Sequence, residues 1–160
     1  MRDMSEAEFD AALAQYGDTV YRLAFAYTRN RADADDVFQE VFLRYFRRAP
    51  AFETEEHRKA WLLRVTINRA KSCLSRRVLH GPPQAGGAVP FSAPASMELH
   101  EALSKLAPKY RTVIHLFYYE GYSTAQIAQI LDQKESTVRS RLKRGREKLK
   151  PLLEEVGALG

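Results

Sequence analysis

The sequence predicts an all-α protein: two small helical domains joined by a flexible Pro/Gly-rich linker, the second a helix-turn-helix. Three observations carry this expectation. Apolar residues recur at helical spacing, as at Val20, Leu23, Ala24 and Tyr27, and no segment sustains the alternation of a half-buried strand. Residues 81–97, GPPQAGGAVPFSAPASM, hold four of the seven prolines, three of the eight glycines and no charge, a composition that separates elements rather than building them. The stretch from Ser123 to Leu149 reads as a capped helix, a polar turn and a second helix, which is the helix-turn-helix frame.

Each element has its own signal. Ser5-Glu6-Ala7-Glu8 fits a capping box and opens the first helix; Gly17 is a point where that helix could break. Asp33 is placed as the cap of a helix that runs to about Arg48 and stops before Pro50. A further helix is expected from near Glu55 to Arg77. Pro108 suits a first helical turn, and Gly121 suits a stop. Ser123-Thr124-Ala125-Gln126 is a second capping box, Asp132-Gln133-Lys134 a turn, and Glu135 or Ser136 the start of the last helix. The domains are set at 1–80 and 98–160, with the linker over 81–97. As an extended Pro-rich chain those 17 residues would reach about 50 Å. The competing placement is a loop on one compact domain, although structureless loops of that length are uncommon there.

The totals narrow the function classes. The 160 residues carry 25 Lys+Arg against 20 Asp+Glu, a net charge of +5, which favours a polyanionic partner. A lone cysteine, Cys73, excludes an internal disulfide and a cysteine-based zinc site. No apolar run approaches the roughly 18 residues of a membrane span, and the first residues, MRDMSEAEFD, lack a signal-peptide apolar region. A cytoplasmic protein is expected.

Within this basic chain, DADDVFQE (33–40) concentrates four carboxylates. On a helix Asp33, Asp36 and Glu40 share a face bordered by Gln39 and Leu43, while Phe38, Val41, Phe42 and Tyr45 point to the core. The competing roles are a metal site, a solvated face and a dock for a basic partner. A metal is disfavoured because His57, His80, His100 and His115 show no paired ligand spacing. No metal, cofactor or catalytic residue is expected. Residues 57–80 then carry seven Lys/Arg and no acid. Trp61, Leu62 and Val65 are placed inward, with Trp61 suited to core or to base stacking; Asn68, Lys71 and Arg76 are placed outward. Cations, aromatics and an amide together suit single-stranded nucleic acid. Residues 134–150 carry eight Lys/Arg and two Glu. There Val138, Leu142 and Leu149 form the apolar stripe, and Ser136, Thr137, Arg139, Ser140 and Lys143 lie off it, where arginine can read a guanine edge and the others hold phosphate. A solvated basic helix is the plainer role for the same residues.

In these motifs the sequence resembles the extracytoplasmic-function group of bacterial RNA polymerase sigma factors, over about residues 5–155 except the linker. DADDVFQEVF (33–42) is similar to the family's polymerase-binding helix. RKAWLLRVTIN (58–68) is similar to its promoter-melting helix, and LAPKYR (106–111) to the opening of its last domain. Gly121-Tyr122-Ser123, Ile127-Ala128 and TVRSRL (137–142) are similar to its helix-turn-helix.

The resemblance implies a sigma factor without enzymatic activity. Asp36, Gln39 and Glu40 would dock on a coiled coil of the largest subunit of core RNA polymerase. Phe52, Trp61, Asn68, Lys71 and Arg76 would hold the melted minus-ten element of promoter DNA, with Phe52–Glu56 and Asn68 near a flipped base. Ser136, Thr137, Arg139, Ser140, Lys143 and Arg144 would read the minus-thirty-five element as duplex. An anti-sigma factor is an expected further partner. Three positions depart from the family pattern: Lys134 and Ser136 stand where Pro and Gly are common, Ser72 stands where Asp is common, and Glu53, Glu55 and Glu56 make the Phe52–Glu56 segment acidic. The alternative is a stand-alone helix-turn-helix regulator whose amino-terminal module senses a ligand or dimerises.

Overall fold

The structure is a computed structural model that describes residues 4–80 and 97–155. They form helices α1 (Glu6–Thr28), α2 (Arg31–Arg48), α3 (Glu55–His80), α4 (Met97–Lys105), α5 (Pro108–Ile114), α6 (Thr124–Leu131) and α7 (Glu135–Glu155). A single π-helical stretch, His115–Tyr119, continues α5. No strand occurs among the described residues. The chain separates into two compact units, Met1–Gly87 and Ala88–Gly160. Most of the expected linker, 81–96, lies outside the described residues; its last residue, Met97, opens α4.

In the first unit α1, α2 and α3 pack pairwise around one core. Val20, Leu23 and Ala24 of α1, Val37, Val41, Phe42 and Tyr45 of α2, and Leu62, Leu63, Thr66 and Ala70 of α3 are all buried. Each fully buried Val or Leu contributes about 1.5–3 kcal/mol relative to exposure. Ser5 caps α1 by accepting from the Glu8 N–H at 3.1 Å. Gly17 does not break α1, which runs through all 23 residues. An interior glycine costs only about 1 kcal/mol, and α1 buries a face from Ala12 to Thr28, on both sides of Gly17. Asp33 is not the cap of α2. The Asn30 side chain accepts from the Asp33 N–H at 3.0 Å, so the cap lies three residues earlier than expected. Asp33 sits in the first turn, where its charge still complements the helix dipole. Thr54 caps the start of α3 by accepting from the His57 N–H at 3.0 Å.

The second unit packs α4, α5 and α6 against α7. Its core holds Ala102, Leu106, Val113, Leu116, Ile127, Ile130, Val138 and Leu142. Arg111 is buried and donates to the Leu106 carbonyl at 2.6 Å, satisfying an acceptor at the end of α4. Ser123 and Gln126 close a reciprocal capping box at α6. The turn after α6 places Asp132 at φ 54°, the left-handed conformation that Asp tolerates better than most residues. Gly145 lets α7 lie close on α5: a Cβ there would stand 2.9 Å from Ile114 Cδ1.

Candidate protein-docking and nucleic-acid interfaces

The four carboxylates of 33–40 have different positions. Asp35 accepts from the Tyr21 hydroxyl at 2.5 Å, tying α2 to α1. Burial, then the Asp35 hydrogen bond, push the Tyr21 phenol up to about 12. Asp33 is half-buried, whereas Asp36 and Gln39 are exposed. Glu40 is half-exposed and stands 3.7 Å from the Arg76 guanidinium on α3. The row Asp36, Gln39 and Glu40 is therefore presented outward, opposite the buried Ala34, Val37, Val41 and Tyr45. Periodicity placed Asp36, Gln39 and Glu40 outward as found; Asp33, expected on the same face, is half-buried.

Where α3 begins, aromatic rings cluster. Phe52 stacks nearly parallel to Tyr45, with centroids 6.4 Å apart at 7°. Trp61 meets Phe52 edge-on at 5.8 Å, and His57 meets it at 5.3 Å and 89°. The Arg58 guanidinium lies 5.0 Å over the Phe52 ring. It also donates to the Tyr45 hydroxyl and to Glu55 Oε1 at 3.2 Å. The Tyr16 hydroxyl donates to Glu55 Oε2 at 2.6 Å. That hydrogen bond, with Arg58 nearby, lowers the Glu55 carboxyl below its ordinary value against the opposing effect of burial. Burial and the same bond push the Tyr16 phenol up to about 12. The acidic segment Phe52–Glu56 is thus anchored: Glu55 is engaged by Tyr16 and Arg58 rather than left facing outward as bare charge.

Trp61 is half-buried and packs on Tyr45, with ring centroids 6.1 Å apart. Asn68 and Lys71 are exposed on the outer stripe of α3, in line with His57, Arg64 and Ser75. Arg76 is elsewhere. With Arg69 and Ser72 it lines a groove of about 320 Å³ whose other wall is Glu40, Leu43, Arg44, Arg47 and Arg48 of α2. The structure thus brings Phe52 and Trp61 together, sets Asn68 and Lys71 on the same helix farther along, and places Arg76 beside Glu40. Sequence reasoning missed His57 and Arg58, although both sit within the basic run.

On α7, Ser136, Arg139, Ser140, Lys143 and Arg144 are exposed and Thr137 is half-exposed. They occupy two edges of the helix. Arg139 lies on one, where it donates to Glu135 Oε1 at 2.7 Å; the same oxygen accepts from the Thr124 hydroxyl at 2.8 Å. This carboxylate therefore ties α6 to α7 and orients the arginine. On the other edge Ser136, Thr137, Ser140, Arg141 and Arg144 share a groove of about 340 Å³ with Lys109 and Tyr110 of α5. Lys109 and Lys148 stand 5.1 and 5.7 Å from the Tyr110 ring centroid. Burial raises the Tyr110 phenol, but the Arg144 hydrogen bond and these lysines outweigh it and lower the net value. Lys109 was not singled out from the sequence because it lies about 30 residues from the helix it joins.

Among the described residues no group of three or more His, Cys, Asp or Glu side chains is placed to hold a metal ion. No helix is long and apolar enough to cross a membrane.

These two surfaces correspond to two known modules. Residues 12–78 match the family model of sigma-70 region 2, and residues 96–149 that of sigma-70 region 4. The chain is 32% identical over 154 residues to ECF RNA polymerase sigma factor SigL of Mycobacterium tuberculosis, covering 89% of this chain and 87% of SigL. It is 29% identical to SigW of Bacillus subtilis, covering 88% and 86%. It is 33% identical to SigE of Mycolicibacterium smegmatis over 91% of this chain, and spans 61% of SigE. The fold is also that of the sigma factor RpoE of Bartonella quintana, solved in complex with the anti-sigma factor NepR. The TM-score is 0.78 at 22% identity, over 92% of this chain and 97% of that one. CnrH, solved with the cytosolic domain of CnrY, gives a TM-score of 0.70 at 25% identity, over 94% and 90%. The chain belongs to the ECF RNA polymerase sigma factors. Its function is that of a sigma factor, directing RNA polymerase to promoters. The region 2 match assigns the amino-terminal module that a stand-alone helix-turn-helix regulator would leave without a role.

Proposed function

We propose that the sigma-factor function is divided among three faces. Asp36, Gln39 and Glu40 on α2 dock on core polymerase. Asn68 and Lys71 on α3, with Phe52 and Trp61 at its start, hold the opened minus-ten strand, and Arg76 serves the junction between these two faces. Ser136, Thr137, Arg139, Ser140, Lys143 and Arg144 on α7 read the minus-thirty-five element as duplex, with Lys109 as an added phosphate contact. The domain roles follow: residues 1–80 engage core and melted DNA, and residues 98–160 engage duplex.

The observation that carries this reading is the segregation of the faces in the first unit. The carboxylates of α2 point outward on one helix, and the cations and amide of α3 point outward on another. One solvated surface would not need the aromatic cluster anchored at the start of α3. Splaying a base costs a few kcal/mol; stacking of about 1–3 kcal/mol per base on aromatic rings offsets it. The chain itself carries out no bond chemistry, which remains with polymerase. The complexes of RpoE with NepR and of CnrH with CnrY support an anti-sigma partner for this chain too, and a cytoplasmic setting suits a polymerase partner. Transcription from a promoter library by core polymerase, with and without the chain, tests the reading. A defined subset of promoters should fire only when it is present; an unchanged set would refute it.

A further inference from the structure

The docking face of α2 does not end with its acids. Asp36, Glu40, Leu43 and Arg47 are spaced i, i+4, i+7 and i+11 and fall in one row, opposite the buried Val37, Val41 and Tyr45. The row is acidic at one end and basic at the other. At its middle stands Leu43, 48% exposed, flanked by Phe46, 49% exposed. Arg44 and Arg48 widen the basic end, and α3 adds Arg69, Ser72 and Arg76 as the facing wall of the groove. Arg69 Nε is buried there and meets no acceptor among the described residues.

We infer that this is a bipolar docking surface for a partner helix with complementary charge: basic residues against Asp36 and Glu40, an apolar residue on Leu43, and carboxylates against Arg44, Arg47 and Arg69. The row runs over residues 36–47, about 16 Å of helix axis or three turns. Its occupant is the core-polymerase element that receives Asp36, Gln39 and Glu40, so the inference rests on that docking role and extends it by naming a second, acidic contact on the same element. Two features favour a protein over a phosphate strand. Glu40 lines the groove and would repel phosphate. The exposed Leu43 and Phe46 give an apolar centre, which protein interfaces use, with arginine enriched around it. A buried guanidinium N–H without an acceptor is costly, and a carboxylate accepts from that fork geometry.

The test uses the full chain and core polymerase. R44E/R47E should weaken core binding about ten-fold or more, while R44Q/R47Q, which removes charge without reversing it, weakens it less. Both positions are exposed, so helicity by circular dichroism should be unchanged; if the reversal variant misfolds, binding by the glutamine variant decides the matter. D36K is measured alongside. Loss with D36K but full binding by the arginine variants would overturn this inference and leave the acidic dock standing. Full binding by D36K would remove the dock itself. Unchanged core binding with weaker holding of a pre-opened promoter by R44E/R47E holoenzyme would make the groove a phosphate site, and the inference would fail.

Discussion

The two helical units handle charge in opposite ways. The first carries both signs and keeps them apart: carboxylates outward near the start of α2, cations outward at its far end and on α3, meeting where Glu40 faces Arg76. The second concentrates one sign on one helix. Residues 134–150 hold eight Lys/Arg, and one of the two glutamates there, Glu135, is occupied in orienting Arg139. A surface of one sign is enough to track a phosphate backbone. A surface of both signs is needed where a single small domain must hold a protein and a nucleic acid at once. The difference fits the proposed division, in which the first unit couples two partners and the second adds address.

Charge reversal on α2 should break this contrast most severely. D36K/E40K should reduce core binding by about 100-fold or more, equivalent to about 2.7 kcal/mol, with helicity intact by circular dichroism. Unaltered binding in a core pull-down or titration would show that α2 is an ordinary solvated face.

Smaller effects should separate the nucleic-acid faces. Asn68→Ala should cost about 1–3 kcal/mol at one minus-ten position, seen as a loss of preference among unpaired bases on pre-opened templates. Arg139→Ala should cost about the same at one minus-thirty-five position, seen in duplex footprints across a base series. Lys109→Ala should behave differently: a uniform loss across sequences, with the salt slope reduced by about one unit. A sequence-dependent loss at Lys109 would place it at a base rather than a phosphate.

The smallest effect concerns the anchor under Phe52–Glu56. Glu55 is lowered in the folded state, so its contribution is present above the ordinary value of 4.5. It declines as pH falls below that value and is gone once pH passes below the lowered folded value. The Glu55 side chain is 60% exposed, so solvent screening keeps the contribution to about 0.5–1 kcal/mol. Tyr16→Phe should remove most of this acid sensitivity, measured as thermal stability against pH. An identical pH profile for the variant would show that the bond contributes nothing.

What the sequence disclosed was local. Ser5, Pro108 and the Ser123–Gln126 box marked helix starts because caps act within three or four residues. The outward positions of Asp36, Gln39, Asn68 and Ser140 followed from helical period alone. What stayed hidden depended on residues far apart in the chain. Arg76 looked like one more strand-facing cation until α3 packed it against Glu40. The hydrogen bond of Asp35 with Tyr21 joins residues 14 positions apart and has no local signal. Lys109 joins α7 only through the tertiary packing of α5. Asn30 displaced Asp33 as the cap because two good caps lay three residues apart, and only backbone geometry chooses between them. The π-helical stretch at His115–Tyr119, where His115 lies 2.9 Å from Glu120, had no periodic signature.

Division of labour between the units is tested most directly by initiation on paired templates, one fully duplex and one pre-opened at the minus-ten element. A chain carrying R139A/K143A on α7 should lose initiation on the duplex template about ten-fold or more and keep it on the pre-opened one, since α2 and α3 are untouched. Equal loss on both templates would show that the two units do not hold separate roles, and would contradict the account.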